Sequence, residues 1–466
     1  MSFYKEFNFQ PIWNEKRIET LKYLVKNSKY EGLNSKEYEI NISNSTIENE
    51  LNLTNTLIKL AYHTYYGRVN PSKVFERWDF PRKKDRVLKV LSDLIKQDKL
   101  EEFFEALSPI YKDYKTLKEY LRLYYEIESR DDGDRIELKN KLKPGDIHPL
   151  ISKIRKRLYL TGYLDSYTES NLYDEKLEKA IKKFQELHNL ESDSIIGKAT
   201  IKALNMRIKD RILKIRINLE KYRWLPENLE DKYIWINIPS FELDLYESGQ
   251  ILMHSRIVVG KKYKEDFRPT PLLFSEIKQI VINPDWHIPY NIAVKDILPK
   301  IKKNPEYLIN DKIKVFLNNE EVDPLKIDWT GIDEKNFNFK LVQKAGKKNA
   351  LGKIKFHMPN NFDIYLHDTP QRKLFLHKVR TFSSGCIRVE KAYHLALLLI
   401  ENNNKKELNE KKLKEALNSE QTVYINLKNS IPVYILYFTN IIKNSELYFL
   451  EDIYEYDKMI AKYLLN

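Results

Sequence analysis

The 466-residue chain contains a single cysteine, Cys386. That count excludes an intramolecular disulfide framework, and with it the small secreted folds such frameworks hold together. A lone thiol still suits an oxidising compartment, because it has no partner with which to mispair. Long apolar runs are absent too: the longest, 395–400 and 431–438, are core-sized and fall short of the ~18 residues of a membrane span. The opening MSFYKEF has no basic segment followed by an apolar stretch, so no signal peptide is read there. Nor is there an arginine-rich block. The lysines behind the net charge of +13 are spread along the chain, which argues against a nucleic-acid partner. No CxxC or HxxxH pair occurs, and His357, His367 and His377 stand beside Cys386 at spacings that match no compact zinc pattern. No metal or other cofactor is expected.

What is present suits a globular protein of several domains. Hydrophobic residues make up 42% and tyrosines number 31, enough to fill cores, and the length exceeds one ordinary core, so two or three domains are expected. Residues 1–140 read as a helical scaffold, with Phe103, Leu107, Ile110, Tyr114, Leu117, Leu121 and Tyr124 recurring at helical spacing. Residues 143–206 read as a small three-helix bundle; Leu177, Ile181, Phe184 and Leu187 share one face of its second helix, and Asp174 is placed to cap it. From 232 to 427 the texture changes to strands. YIWINIPSFELDLYESGQILMHSRIVVG alternates around a SerGlyGln turn, and KQIVINP, KIKVFLN, KIKFHMP and FDIYLHDTP read as further strands. IAVKDILPKIKKNPEYL interrupts them as helix, within an insertion of about residues 290–345 placed to act as a lid. Residues 428–466 read as a strand pair and a final helix packing on this β-rich domain. The fold class is α+β and multidomain.

Chemistry concentrates around the cysteine. Cys386 follows a Ser-Ser-Gly turn and precedes a helix expected near Glu390, a setting that offers backbone N–H groups and a helix dipole to a thiolate and a developing oxyanion. A cysteine nucleophile also needs a base within hydrogen-bond reach, supplied from another strand. Of the nine histidines, His367 is the best placed, because it ends the apolar FDIYL and opens the polar HDTP.

These residues carry a resemblance. HDTP at 367–370, LF at 374–375, Arg380 and SSGCIRV at 383–389 resemble the active-site signature of the L,D-transpeptidase catalytic domain, the YkuD-like fold, with Cys386 nineteen positions after His367. NALGKIKF, NPDWHIP, YYGRVNP with its later ERW, and YILYF followed by LEDIYEYD resemble the large multidomain branch of that family. Within 143–206, YD, FQ and IIGKATIKALN resemble the peptidoglycan-binding domain type 1 family, with Ser194 where glycine is common.

The resemblance implies a role for each matching residue. Cys386 would be the nucleophile, His367 the general base and later proton donor, and Gly385 with the Cys386 amide part of an oxyanion hole. Arg388 would stabilise the site or hold a substrate carboxylate. Asp368 would orient the imidazole through its carbonyl. Ser384, counted with these oxyanion and support residues, is a departure where the family often has histidine, one that bears on acceptor binding. Trp286, Tyr365, Asn349 and Arg380 would line the cleft. The implied reaction is acyl transfer on peptidoglycan stem peptides: a thioacyl-enzyme forms with loss of D-alanine, and an acceptor amine resolves it into a 3-3 cross-link. Implied partners are stem peptides and glycan, other cell-wall enzymes, and carbapenems as inhibitors. The implied location is the periplasmic side of the envelope, with a targeting segment before Ser2 expected to have been removed. An L,D-carboxypeptidase, an inactive wall-binding scaffold and a zinc hydrolase stay open as alternatives.

Overall fold

A computed structural model describes residues 2–263, 265–403 and 409–465. The chain forms two compact units. One comprises Met1–Glu76, Pro81–Asn228 and Phe438–Asn466; the other comprises Arg77–Phe80 and Leu229–Tyr437.

The first unit is mainly helical. Helices Glu15–Asn27, Thr46–Tyr66 and Val87–Lys96 turn Leu21, Leu24, Leu57, Leu60 and Leu91 into a common core. The periodicity expected from Phe103 to Tyr124 is broken once. Pro109 has no N–H to continue a helix, so the helix Phe103–Leu107 stops and the next begins at Lys112. Ile110 falls in the gap and is 60% exposed, whereas the other six predicted core residues are buried.

The small bundle packs helices Leu150–Leu160, Glu175–Leu187 and Lys198–Leu204 around Ile151, Ile154, Leu158, Ile181 and Phe184. Asp174 caps the second helix, its side chain accepting from the Leu177 N–H. Ser194 adopts a left-handed backbone at φ 59°, which explains the preference for glycine there. Its N–H donates to the buried Gln185 side chain at 2.9 Å, which holds the loop in place.

Residues 428–466 do not all pack on the β-rich domain as the sequence suggested. Residues 428–436 lengthen a strand of that domain, but the hairpin Asn440–Lys443/Glu446–Phe449 and the helix Tyr456–Leu465 belong to the helical unit. Buried polar groups on the helix Ile208–Arg223 determine this. The Asn218 side chain accepts from the Thr439 and Asn440 N–H groups at 2.9 and 3.1 Å, and Lys221 pairs with Asp457. Removing either partner would leave the other desolvated and unpaired.

The second unit is built on one large sheet. Its main strands are β1 (Lys232–Asn237), β2 (Glu242–Glu247), β3 (Gln250–Tyr263), β4 (Leu272–Ile282), β5 (Ile354–His357), β6 (Leu366–His367), β7 (Ile387–Val389) and β8 (Val423–Leu436). They pair in the order β4-β5-β6-β7-β3-β2-β1-β8, and β8 pairs back onto β4, so the sheet closes into a ring. Trp78–Asp79 adds a short parallel strand beside Leu272–Leu273. These residues lie inside the stretch read from sequence as helical scaffold, and they are strand because they complete β4's hydrogen-bond ladder.

The insertion is not purely helical. Its helical segment carries a π turn at Ala293–Ile297 just before Pro299, which cannot donate to the preceding turn. Strands Trp286–His287, Ile313–Leu317, Glu320–Val322 and Lys340–Gln343 form a second sheet, and Ile297, Ile301, Val315, Trp329 and Leu341 give the insertion its own core.

Left-handed backbone costs a residue with a Cβ more than glycine, although glycine loses more entropy on folding. Ser194→Gly is therefore expected to stabilise the bundle by about 0.5 kcal/mol, measured as a rise in the denaturant midpoint of the helical unit.

Candidate active site

Three adjacent strands bring the chemistry together. β5 runs antiparallel to β6 with Lys355 opposite His367, and β6 runs parallel to β7 with His367 opposite Arg388. Opposite side chains project from the same face of a sheet, and successive ones alternate. Accordingly Ile354, Phe356, Leu366, Ile387 and Val389 are buried on one face of the sheet, while Lys355, His367 and Arg388 form a row on the other face. Tyr365 and Cys386 lie just ahead of these strands, two positions before His367 and Arg388, and Cys386 is near enough to Tyr365, Lys355 and Arg388 to feel all three. The Tyr365 carbonyl accepts from the Ile387 N–H at 3.2 Å, and its ring centroid lies 5.7 Å from that of His367.

Cys386 sits half-buried at the end of a tightly bonded turn. Gly385 has φ 119°, a conformation strained for any residue with a Cβ. Its N–H donates to Ser383 Oγ at 3.1 Å, Ser383 Oγ donates to the Cys386 carbonyl at 2.5 Å, and the Gly385 carbonyl accepts from Thr270 Oγ1 at 2.8 Å. The Gly385 amide is thus already committed, and the expectation that it serves an oxyanion hole is corrected. The Cys386 amide makes no hydrogen bond among the described residues, which leaves it as the open donor beside the sulfur. The helix-dipole expectation also falls. β7 intervenes and the helix begins only at Ala392, beyond the single turn over which a dipole acts.

His367 is 4% exposed. Its Nδ1 meets the Asp368 carbonyl at 2.5 Å; a carbonyl only accepts, so Nδ1 carries the proton and Nε2 is the basic nitrogen of the neutral ring. Burial, reinforced by the positive charge of Arg388, lowers the imidazole to about 3; the Asp368 and Leu351 backbones oppose the shift. The Asp368 side chain accepts from the Lys353 N–H at 3.0 Å and from Arg372 at 3.1 Å. A Cβ on Gly352, which has φ 63°, would overlap that carboxylate. Burial pushes the Cys386 thiol up from its ordinary value, while Tyr365, Lys355 and Arg388 pull it back. No hydrogen bond joins the His367 ring to the sulfur among the described residues; the sulfur instead lies 3.7 Å from the Asp363 carbonyl.

Sequence comparison assigns this arrangement. Residues 231–401 match the family described as L,D-transpeptidase catalytic domain. The chain carries an L,D-transpeptidase catalytic domain. Residues 148–204 match a "Putative peptidoglycan binding domain" and residues 1–121 a scaffold domain. A Haemophilus influenzae protein described as a "Putative L,D-transpeptidase" is 35% identical over 280 residues, 59% of this chain and 55% of that relative, so the chain spans about half the relative's length. Among solved structures, an L,D-transpeptidase from Stackebrandtia nassauensis is 11% identical, covering 63% of this chain and 94% of that one, with a TM-score of 0.23. One from Xylanimonas cellulosilytica is 11% identical, covering 65% and 100%, with a TM-score of 0.20.

Within the catalytic domain the weaker site expectations separate. Asn349 is buried, donating to the Pro284, Gln343 and Lys344 carbonyls and accepting from the Leu351 N–H. Arg380 is buried likewise, its guanidinium bonded to the Ile257, His377 and Phe241 carbonyls. Both side chains are consumed by backbone groups, so neither lines a cleft. Trp286 is partly buried, and its indole N–H, close to the Tyr365 hydroxyl, has no aligned acceptor. Ser384 Oγ accepts from Arg268 at 3.0 Å, and the same guanidinium grips both Asp296 oxygens at 2.5 and 2.9 Å. Among the described residues no three His, Cys, Asp or Glu side chains gather as a metal set. Lys355 and Arg268 escaped the sequence reading. The alternation of KIKF places Lys355 on the face away from Ile354 and Phe356, but only the register against His367 gives that face a meaning.

A buried neutral histidine makes stability pH-dependent. The unfolded chain protonates this imidazole near 6.5, the folded catalytic domain only near about 3, so below 6.5 the unfolded state binds more protons and stability falls with pH. His367→Gln is expected to make that acid slope shallower by up to one proton, read from urea unfolding at stepped pH.

Proposed function

We propose that the protein is a peptidoglycan L,D-transpeptidase that forms 3-3 cross-links through Cys386 and works in the cell envelope. The observation that carries this reading is the single sheet face that presents the half-buried thiol, an open backbone donor beside it and a neutral imidazole whose Nδ1 is held by a carbonyl. His367 takes the thiol proton. The thiolate attacks the carbonyl of the third residue of a donor tetrapeptide, the Cys386 amide stabilises the oxyanion, and the C–N bond to the terminal D-alanine breaks as His367 returns the proton to the departing amine. An amine on a neighbouring stem then attacks the thioester carbonyl; its proton passes through His367 to the sulfur as the C–S bond breaks. The lack of a hydrogen bond between imidazole and sulfur is compatible with this role, since catalytic hydrogen bonds often tighten only in the complex. In this reading the bundle at 148–204 docks on glycan or stem peptide and keeps the domain at its substrate.

The test combines intact mass with product analysis. Incubated with tetrapeptide muropeptides or a carbapenem, the wild type is expected to gain acyl mass and to convert tetrapeptides to dimers. Cys386→Ala should gain none and lose at least about 10³-fold in turnover while keeping its fold. Tripeptide without dimer would make the protein a carboxypeptidase; neither product and no adduct would sink the enzyme reading.

A further inference from the structure

We propose that Lys355 recognises the free carboxylate at the end of the donor stem, closing with Arg388 as a two-cation clamp across the face that carries Cys386. The proposal rests on the stem-peptide reading above.

Four observations point to it. Lys355, His367 and Arg388 lie in register on three neighbouring strands, so the two cations stand on strands roughly 10 Å apart, a gap their long side chains can close around one carboxylate. Lys355 Nζ rests 4.1 Å above the Tyr365 ring, on the π face rather than on an acidic group. Neither cation has an ion pair among the described residues: Arg388 donates to the neutral Gln371 amide at 2.7 Å and keeps a buried Nε without an acceptor. The surrounding carboxylates are mostly committed elsewhere, Asp368 to Lys353 N–H and Arg372, Glu390 to Arg256, and Asp296 to Arg268; Asp363 acts on Lys355 by its charge alone. Cations left partly desolvated without a partner are unfavourable unless an anion arrives. The donor's terminal carboxylate lies one residue beyond the scissile carbonyl, so an anion held beside the thiol would set that carbonyl against the sulfur.

The lone thiol makes the test clean, because alkylation reports only Cys386. Iodoacetate and iodoacetamide form the same S–C bond with loss of iodide and differ in carrying a carboxylate or a neutral amide. The wild type is expected to react with iodoacetate relative to iodoacetamide about tenfold faster than Lys355→Met does, one charge contact, and Lys355→Arg should restore the ratio. Circular dichroism checks that each variant is folded. No anion preference in the wild type, or an equal loss with both reagents in Lys355→Met, overturns the clamp. A second arm compares donor stems ending in a free carboxylate or an amide, with the same tenfold discrimination expected and lost in Lys355→Met chiefly through KM. If the anion preference holds but neither stem acylates the thiol, the clamp stands and the stem reading falls. If both stems acylate equally, the stem reading stands and the clamp falls.

Discussion

The site depends on one pairing, the parallel register of β6 against β7 that sets His367 opposite Arg388 and Leu366 opposite Ile387. Parallel strands cannot be joined by a tight hairpin, so the chain leaves β6, runs through Thr369–Arg380 and returns by way of the cysteine turn. Arg380 pins the returning segment to three carbonyls and Thr270 holds Gly385. Slipping either strand by one residue would exchange the inward Leu366 for His367 or the inward Ile387 for Arg388, and so bury a polar ring or a charge in the core. The hydrophobic core therefore enforces the placement of the catalytic face.

The electrostatics follow from that placement. His367 lies between two cations and under a closed surface, which holds it neutral and leaves it a weak base. The same two cations favour the thiolate of Cys386 against a burial that opposes it. The resting site thus keeps its proton on sulfur and its positive charge unpaired. An anionic substrate would change both conditions together, because a carboxylate near Lys355 and Arg388 weakens the field that keeps the imidazole from accepting the proton.

Much of this was legible in the sequence. The alternation of YIWIN, LDLYE and KIKF marks strands with one buried face, and Leu177, Ile181, Phe184 and Leu187 are buried as their spacing requires. Periodicity is a local property, and it read those elements well. It gave no hint that Trp78–Asp79 joins a strand some two hundred residues away, or that Phe438–Asn466 turns back to the helical unit, because both are fixed by partners distant in sequence. The same limit applies at the site. SSGCIRV and HDTP drew attention to Cys386 and His367, whereas Lys355 becomes a site residue only through its cross-strand neighbours. Gly385, Asn349 and Arg380 sat at the right addresses, but their polar groups are spent on the backbone that shapes the site.

Ser384 is the departure whose consequence the structure makes concrete. A serine hydroxyl is small and can accept, and here it receives Arg268, whose guanidinium also clasps Asp296 in the π turn of the insertion. Bidentate pairing of a guanidinium with a carboxylate fixes direction as well as distance. The cysteine turn and the insertion are therefore joined by a single side chain through a half-buried contact. An imidazole in place of Ser384 would be bulkier and, when protonated, would repel Arg268. Ser384 and the Arg268–Asp296 bridge thus form one solution: the insertion is held at the nucleophile's turn by charge, and the turn stays narrow enough for Gly385 to keep the conformation that presents Cys386.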